Sequence, residues 1–157
     1  MGMCRIAQGL SARYWAAVSE ENVEIVRSMY QAFNDGDRER AITYLHPDAE
    51  LHQPPELPDV GSYRGLAEFE RGINLWLDEW ESFRYEIEDL TDLGDRVLME
   101  IRLWGIAKGS GVETERRDVF HLWTIRDGKA QRCEVYFNRP DALEAAGCRS
   151  SAFDEKQ

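Results

Sequence analysis

The chain of 157 residues has three cysteines, five prolines and three histidines, and its 19 Lys and Arg fall well short of its 30 Asp and Glu, for a net charge of −11. Each shortage excludes something. Cys4, Cys133 and Cys148 make no CxxC pair and no Cys/His ligand spacing, which argues against a zinc site or a disulfide framework. A sparse, odd cysteine count fits a reducing compartment, so a cytoplasmic location is expected. The negative field repels phosphate backbones and anionic lipid, so neither nucleic acid nor a membrane surface is expected as a partner. No apolar run approaches the roughly 20 residues that span a bilayer. The stretch MGMCRIAQGLSARYWAAV is broken by Gln8 and Arg13, and Ile6 stands where a myristoylation signal wants Ser or Thr, so no targeting signal is read.

What is present describes one domain. The composition is 43% hydrophobic, 31% charged and 11% aromatic, which is globular. Ser19 with Glu20 and Glu21 predicts a helix start, and Val23, Val26, Tyr30 and Phe33 follow at helical spacing until Asn34-Asp35-Gly36. Asp37 caps a short second helix with Ala41, Ile42 and Leu45, ended by His46-Pro47. A strand over Ala49–Gln53 stops at Pro54-Pro55, and residues 54–65 read as a loop. Leu66 to Trp80 predicts a third amphipathic helix. The period then becomes alternating. Turn signals at Gly94-Asp95, Gly109-Ser110-Gly111 and Asp127-Gly128 divide an antiparallel meander of strands at about 83–92, 96–108, 112–126 and 129–137. Pro140 to Ala146 forms a last helical turn or two before Gly147. Helices first and sheet after give an α+β class.

Strand patterning assigns faces. Val97, Met99, Ile101, Leu103 and Gly105 form a core face, while Leu98, Glu100, Arg102, Trp104 and Ile106 form a mixed one. In the next strand Asp118, Phe120, Leu122 and Thr124 alternate with Val119, His121, Trp123 and Ile125. In the last strand Cys133, Val135 and Phe137 alternate with Arg132, Glu134 and Tyr136. Both sheet faces are thus largely apolar, and three helices cover only one. A homodimer is expected through the other face, with Trp104, His121, Trp123 and Tyr136 in the interface.

The segments EENVEIVRSMYQAFNDGDRERAITYLHPDAELHQPPE, SYRGLAEFERGINLW and VFHLWTIRDGKAQRCEVYFNRPDALEAAG resemble SnoaL-like proteins, over about Ser19 to Gly147. These belong to the nuclear-transport-factor-two-like superfamily, with ketosteroid isomerase, scytalone dehydratase and limonene epoxide hydrolase. The resemblance implies a conical α+β fold with three N-terminal helices closing a curved antiparallel sheet around an apolar pocket. It implies a domain at 19–147, a loose or over-extended N-terminal segment at 1–18 and a tail at 148–157. Isomerase chemistry of that superfamily needs a carboxylate base before the strand-ending proline, a first-helix Tyr and a neutral acid on the long strand. A gapless match puts Gln53, Met29 and Phe120 there, and none of them serves. The Asp–Arg–Asp set of epoxide hydrolysis falls on Ile101, Leu103 and Val135, which cannot activate water.

The polar candidates that remain are Asp118 and His121. Asp118 shares a face with Phe120 and Leu122, so it is expected either in the cavity as an acid or base or at the rim, paired with Arg116 or Arg102. His121 alternates to the opposite, dimer-forming face, unless a bulge reverses the phase. Gln53, Tyr30, Tyr63, Trp76, Phe120 and His52 are candidate ligand contacts. His46, His52 and His121 show no convergence, so no metal and no cofactor are expected. Three functions fit: a cofactor-free isomerase, cyclase or dehydratase acting on a small hydrophobic metabolite, a non-catalytic binder of such a ligand, or a dimeric interaction module.

Overall fold

A computed structural model describes residues 12–54, 56 and 62–147. The element order is α1 (Ala12–Asn34), α2 (Arg38–Ile42), β1 (Leu45–His52), β2 (Ser62–Arg64), α3 (Leu66–Leu77), β3 (Trp80–Asp92), β4 (Arg96–Ala107), β5 (Glu113–Arg126), β6 (Lys129–Tyr136) and α4 (Arg139–Ala146). The six strands form one sheet in the order β2-β1-β6-β5-β4-β3. Helices packed on that sheet make an α+β cone.

The expected hairpins β3–β4, β4–β5 and β5–β6 are all antiparallel neighbours. The sheet is nevertheless mixed, because β1 runs parallel to β6, with Leu51 opposite Cys133. Turn residues report only hairpins; a pairing between strands about 80 positions apart leaves no local mark. Helix α1 begins at Ala12 and passes through Ser19, so that residue is not its cap. Expectations for residues 1–11 and 148–157 lie outside the described residues. Trp80 belongs to β3 rather than to α3, whose last turn closes on Asp78.

Two side chains dock α1 on the sheet. The buried Asn22 donates from Nδ2 to the Gly94 carbonyl at 2.7 Å. Asn34 donates to the Tyr85 carbonyl at 2.8 Å and accepts from the Tyr85 amide at 3.0 Å, as an extra ladder residue would. Met29, Tyr30 and Phe33 are thereby held against the concave side. The core there holds Val97, Met99, Ile101 and Leu103, the face that strand alternation indicates.

The convex face carries a second, smaller cluster. Leu98, Phe120 and Leu122 are covered by Ala142 and Ala146 of α4, each large side chain contributing about 2 kcal/mol on burial. Helix α4 is fixed by an Asn138 N-cap to the Asp141 amide, by Gly147 at φ 78°, and by Arg96 donating to the Ala145 and Ala146 carbonyls. The expectation that Phe120 faces the cavity is therefore corrected. Phe120 and Leu122 are apolar because a helix covers them from outside, which makes β5 apolar on both faces and its phase unreadable from alternation alone.

Register fixes that phase. Val97, Met99 and Ile101 stand opposite Trp123, His121 and Val119, so these three β5 residues share the core face. His121 and Trp123 lie inside the cone, not on an outer interface. Beyond Val119 the strand bulges: Leu103 pairs with Arg116, leaving Arg117 and Asp118 together opposite Arg102. Asp118 takes φ 62°, a left-handed conformation that Asp tolerates better than most side chains.

Candidate functional site

The helices and the concave sheet face enclose a pocket of about 260 Å³, just under the roughly 300 Å³ at which sites for drug-sized ligands begin. Its wall is mostly apolar: Met29, Phe33, Leu51, Phe69, Val119 and Val135, with an aromatic flank of Trp76 and Tyr85. Trp76, Trp80, Phe83 and Tyr85 pack together in tilted and edge-to-face pairs, with ring centroids 4.9–5.6 Å apart. The Trp76 indole N–H is buried with no hydrogen-bond partner among the described residues.

Within this wall stands a short polar chain. Trp123 donates from Nε1 to Tyr30 Oη at 2.9 Å, and Tyr30 Oη lies 2.5 Å from His121 Nδ1. An indole N–H can only donate, so the Tyr30 oxygen accepts it. The phenol proton has no other acceptor among the described residues, so Tyr30 donates to His121 Nδ1 and the imidazole carries its proton on Nε2. All three residues are buried, at 5% (Tyr30), 6% (His121) and 3% (Trp123) exposure. Burial pushes the His121 pKa down to about 3, so the ring is neutral near pH 7. Burial likewise holds the Tyr30, Tyr85 and Cys133 pKa values above their usual range, leaving phenols and thiol protonated.

This arrangement offers donors rather than bases. His121 Nε2 and Tyr85 Oη bond no described residue, and both side chains line the pocket. Gln53 lines it too and supplies an amide. A neutral imidazole with its proton on Nε2 can donate to a carbonyl or enolate oxygen without carrying charge into an apolar site.

The structure brings together Tyr30, Gln53, Trp76 and His121 from the sequence candidates. It separates the others. Asp118 is exposed at the bulge, outside the pocket, and forms no ion pair with Arg102 or Arg116. Phe120 is under α4. His52 is on the convex side, 2.8 Å from Glu50 Oε1 and 2.8 Å from Ser62 Oγ. Tyr63 is buried behind the pocket wall against Gly72, where an added Cβ would meet its ring at 2.8 Å. Sequence reasoning overlooked Tyr85 and Trp123 as site residues. The alternation of Phe83, Tyr85 and Ile87 could have found the first, while the second needed the β4–β5 register. No group of three or more His, Cys, Asp or Glu among the described residues could hold a metal ion.

Helices closing a six-stranded sheet into a cone make the nuclear-transport-factor-two-like fold. The SnoaL-like domain family matches residues 26–133, and the chain belongs to it. Three solved structures illustrate the likeness. TerC, co-crystallised with polyporic acid, is 25% identical over 81% of this chain and 98% of its own, with a TM-score of 0.66. A nuclear-transport-factor-two-like protein from Burkholderia thailandensis E264 is 26% identical over 81% of this chain and 95% of its own, at 0.66. A candidate SnoaL-like polyketide cyclase from Jannaschia sp. CCS1 is 19% identical over 92% of this chain and 99% of its own, at 0.68, a likeness of fold. Among curated proteins no sequence matches. No described helix is long and apolar enough to cross a membrane.

Proposed function

We propose that this SnoaL-like chain binds a small hydrophobic metabolite in its pocket, with an oxygen of the ligand against His121. The chemistry this supports is cofactor-free isomerisation, cyclisation or dehydration, in which neutral His121 hydrogen-bonds from Nε2 to a carbonyl oxygen as it gains charge, and the proton leaving carbon passes to Glu70, a carboxylate on the described lining. The observation that carries the reading is the Trp123–Tyr30–His121 chain inside an otherwise apolar wall. Three buried polar groups held for core packing alone would be better replaced by apolar ones. TerC, a structural relative, was crystallised with an organic ligand, which agrees in kind.

A non-catalytic binder is the second reading. It is favoured by the weak basicity of His121 and by Asp118 lying outside, which leave Glu70 as the carboxylate on the lining among the described residues. We further propose a homodimer through the convex sheet face and, from the free thiol of Cys133, a reducing cytoplasmic setting. Of the four interface residues expected from sequence, Trp104 and Tyr136 remain available. Trp104 is flanked by Arg84 and Arg102, at 5.6 and 5.4 Å from its ring.

Native mass spectrometry on protein purified gently from its natural source tests both points. A dimer carrying a discrete small-molecule mass, lost in His121→Leu, is the expected result. An apo-dimer with no retained mass, and no ligand captured from a metabolite extract, overturns the pocket reading; a monomer overturns the dimer.

A further inference from the structure

Arg116 and Arg117 are adjacent, yet the β5 bulge sends them to different places. Arg117 points to the convex side, 3.8 Å from Glu88 and 3.3 Å from Glu115. Arg116, opposite Leu103, lines the pocket, with its guanidinium carbon 4.1 Å above the Phe137 ring. It has no carboxylate within 4 Å among the described residues, in a chain whose acids outnumber its Lys and Arg by 11. Arg38, at the start of α2, also lines the pocket, and its hydrogen bond is to the neutral Asn74 amide. Both arginines are solvent-exposed, so they stand at the mouth. Among the described residues Glu70 is the one acid on the lining, so these lining residues carry a net charge of +1 against −11 for the chain.

We infer that the ligand is an amphipathic anion: a ring-sized body in the pocket, apolar apart from the oxygen against His121, and a carboxylate at the mouth, held by Arg116 and Arg38. This rests on the proposed ligand-binding role of the pocket. A guanidinium laid on an aromatic face keeps its N–H edge free, and that edge matches a planar oxyanion in two parallel hydrogen bonds. The Asn74 contact orients Arg38 without neutralising it. An unpaired cation would gain nothing from a wholly apolar ligand, which would leave both guanidiniums where solvent already holds them. The bulge selects for this, since continuing the regular register would put Arg117 opposite Leu103 and send Arg116 outward.

The test uses a matched pair of probes, 2-naphthoate and methyl 2-naphthoate, titrated by tryptophan fluorescence and calorimetry at low and high salt. The acid is expected to bind about tenfold tighter than the ester, the scale of one charge-assisted contact. That ratio should shrink with salt and fall to near one in the double variant Arg38→Gln/Arg116→Gln, while Arg117→Gln keeps it. Equal binding of acid and ester, or a preference that survives the double variant, overturns the anion inference and leaves the pocket reading standing. If neither probe binds a protein that melts normally, the pocket reading fails and the inference fails with it.

Discussion

Tyr30 and His121 are 91 positions apart in the chain, yet their side chains meet at 2.5 Å inside the cone, with Trp123 closing the third position. Removing the middle member should leave two buried nitrogens unpaired. Tyr30→Phe is expected to cost about 2 kcal/mol, a fall in Tm of roughly 4–8 °C, read by urea and thermal unfolding. An unchanged midpoint would mean that the chain of hydrogen bonds is not sustained in solution.

The depressed His121 pKa sets a pH dependence. Folded His121 titrates at about 3 and its ordinary value is 6.5, so the unfolded chain takes up the proton first. Its contribution to stability is therefore complete above about pH 6.5 and is lost as pH falls toward about 3, with a limiting slope near 1.4 kcal/mol per pH unit. Glu50 and Glu86, held below their ordinary value of 4.5 by hydrogen bonds from His52 and Arg102, act lower down. Denaturation midpoints of wild type and His121→Gln between pH 4.5 and 6.5 should diverge in slope, the variant being flatter.

Asp118 holds φ 62° at the bulge and lies outside the pocket. Asp118→Asn should change stability by less than about 0.5 kcal/mol and leave ligand affinity untouched. Asp118→Val places a β-branched side chain in a left-handed conformation and is expected to cost about 1–3 kcal/mol. Chemical unfolding of the pair, with ligand titration of the first, separates a backbone role from a catalytic one.

Gly72 lets α3 sit on Tyr63. A Cβ there would come within 2.8–3.0 Å of three ring atoms. Gly72→Ala should destabilise by about 1–3 kcal/mol through overpacking, despite the higher helix propensity of alanine. A double variant with Tyr63→Leu should recover part of the loss, and absence of any coupling in that cycle would contradict the contact.

Much of this protein is set by local sequence. Asn34-Asp35-Gly36 ends α1, the Gly-containing turns cut three hairpins, and the alternation of Val97 to Leu103 marks the concave side of β4, because caps, turns and strand period are local physics. SnoaL-like membership is carried by those same segments. The parallel β1–β6 pairing, the facing of β5 and the split between Arg116 and Arg117 are tertiary decisions. In β5, apolar residues occur on both faces because the hydrophobic effect has no direction: Phe120 answers to α4 and Trp123 to α1, and only the register with β4 distinguishes them. Sequence named His121 as a candidate and put it outside. A single helix on the convex face accounts for that reversal, and the pocket's chemistry follows from it.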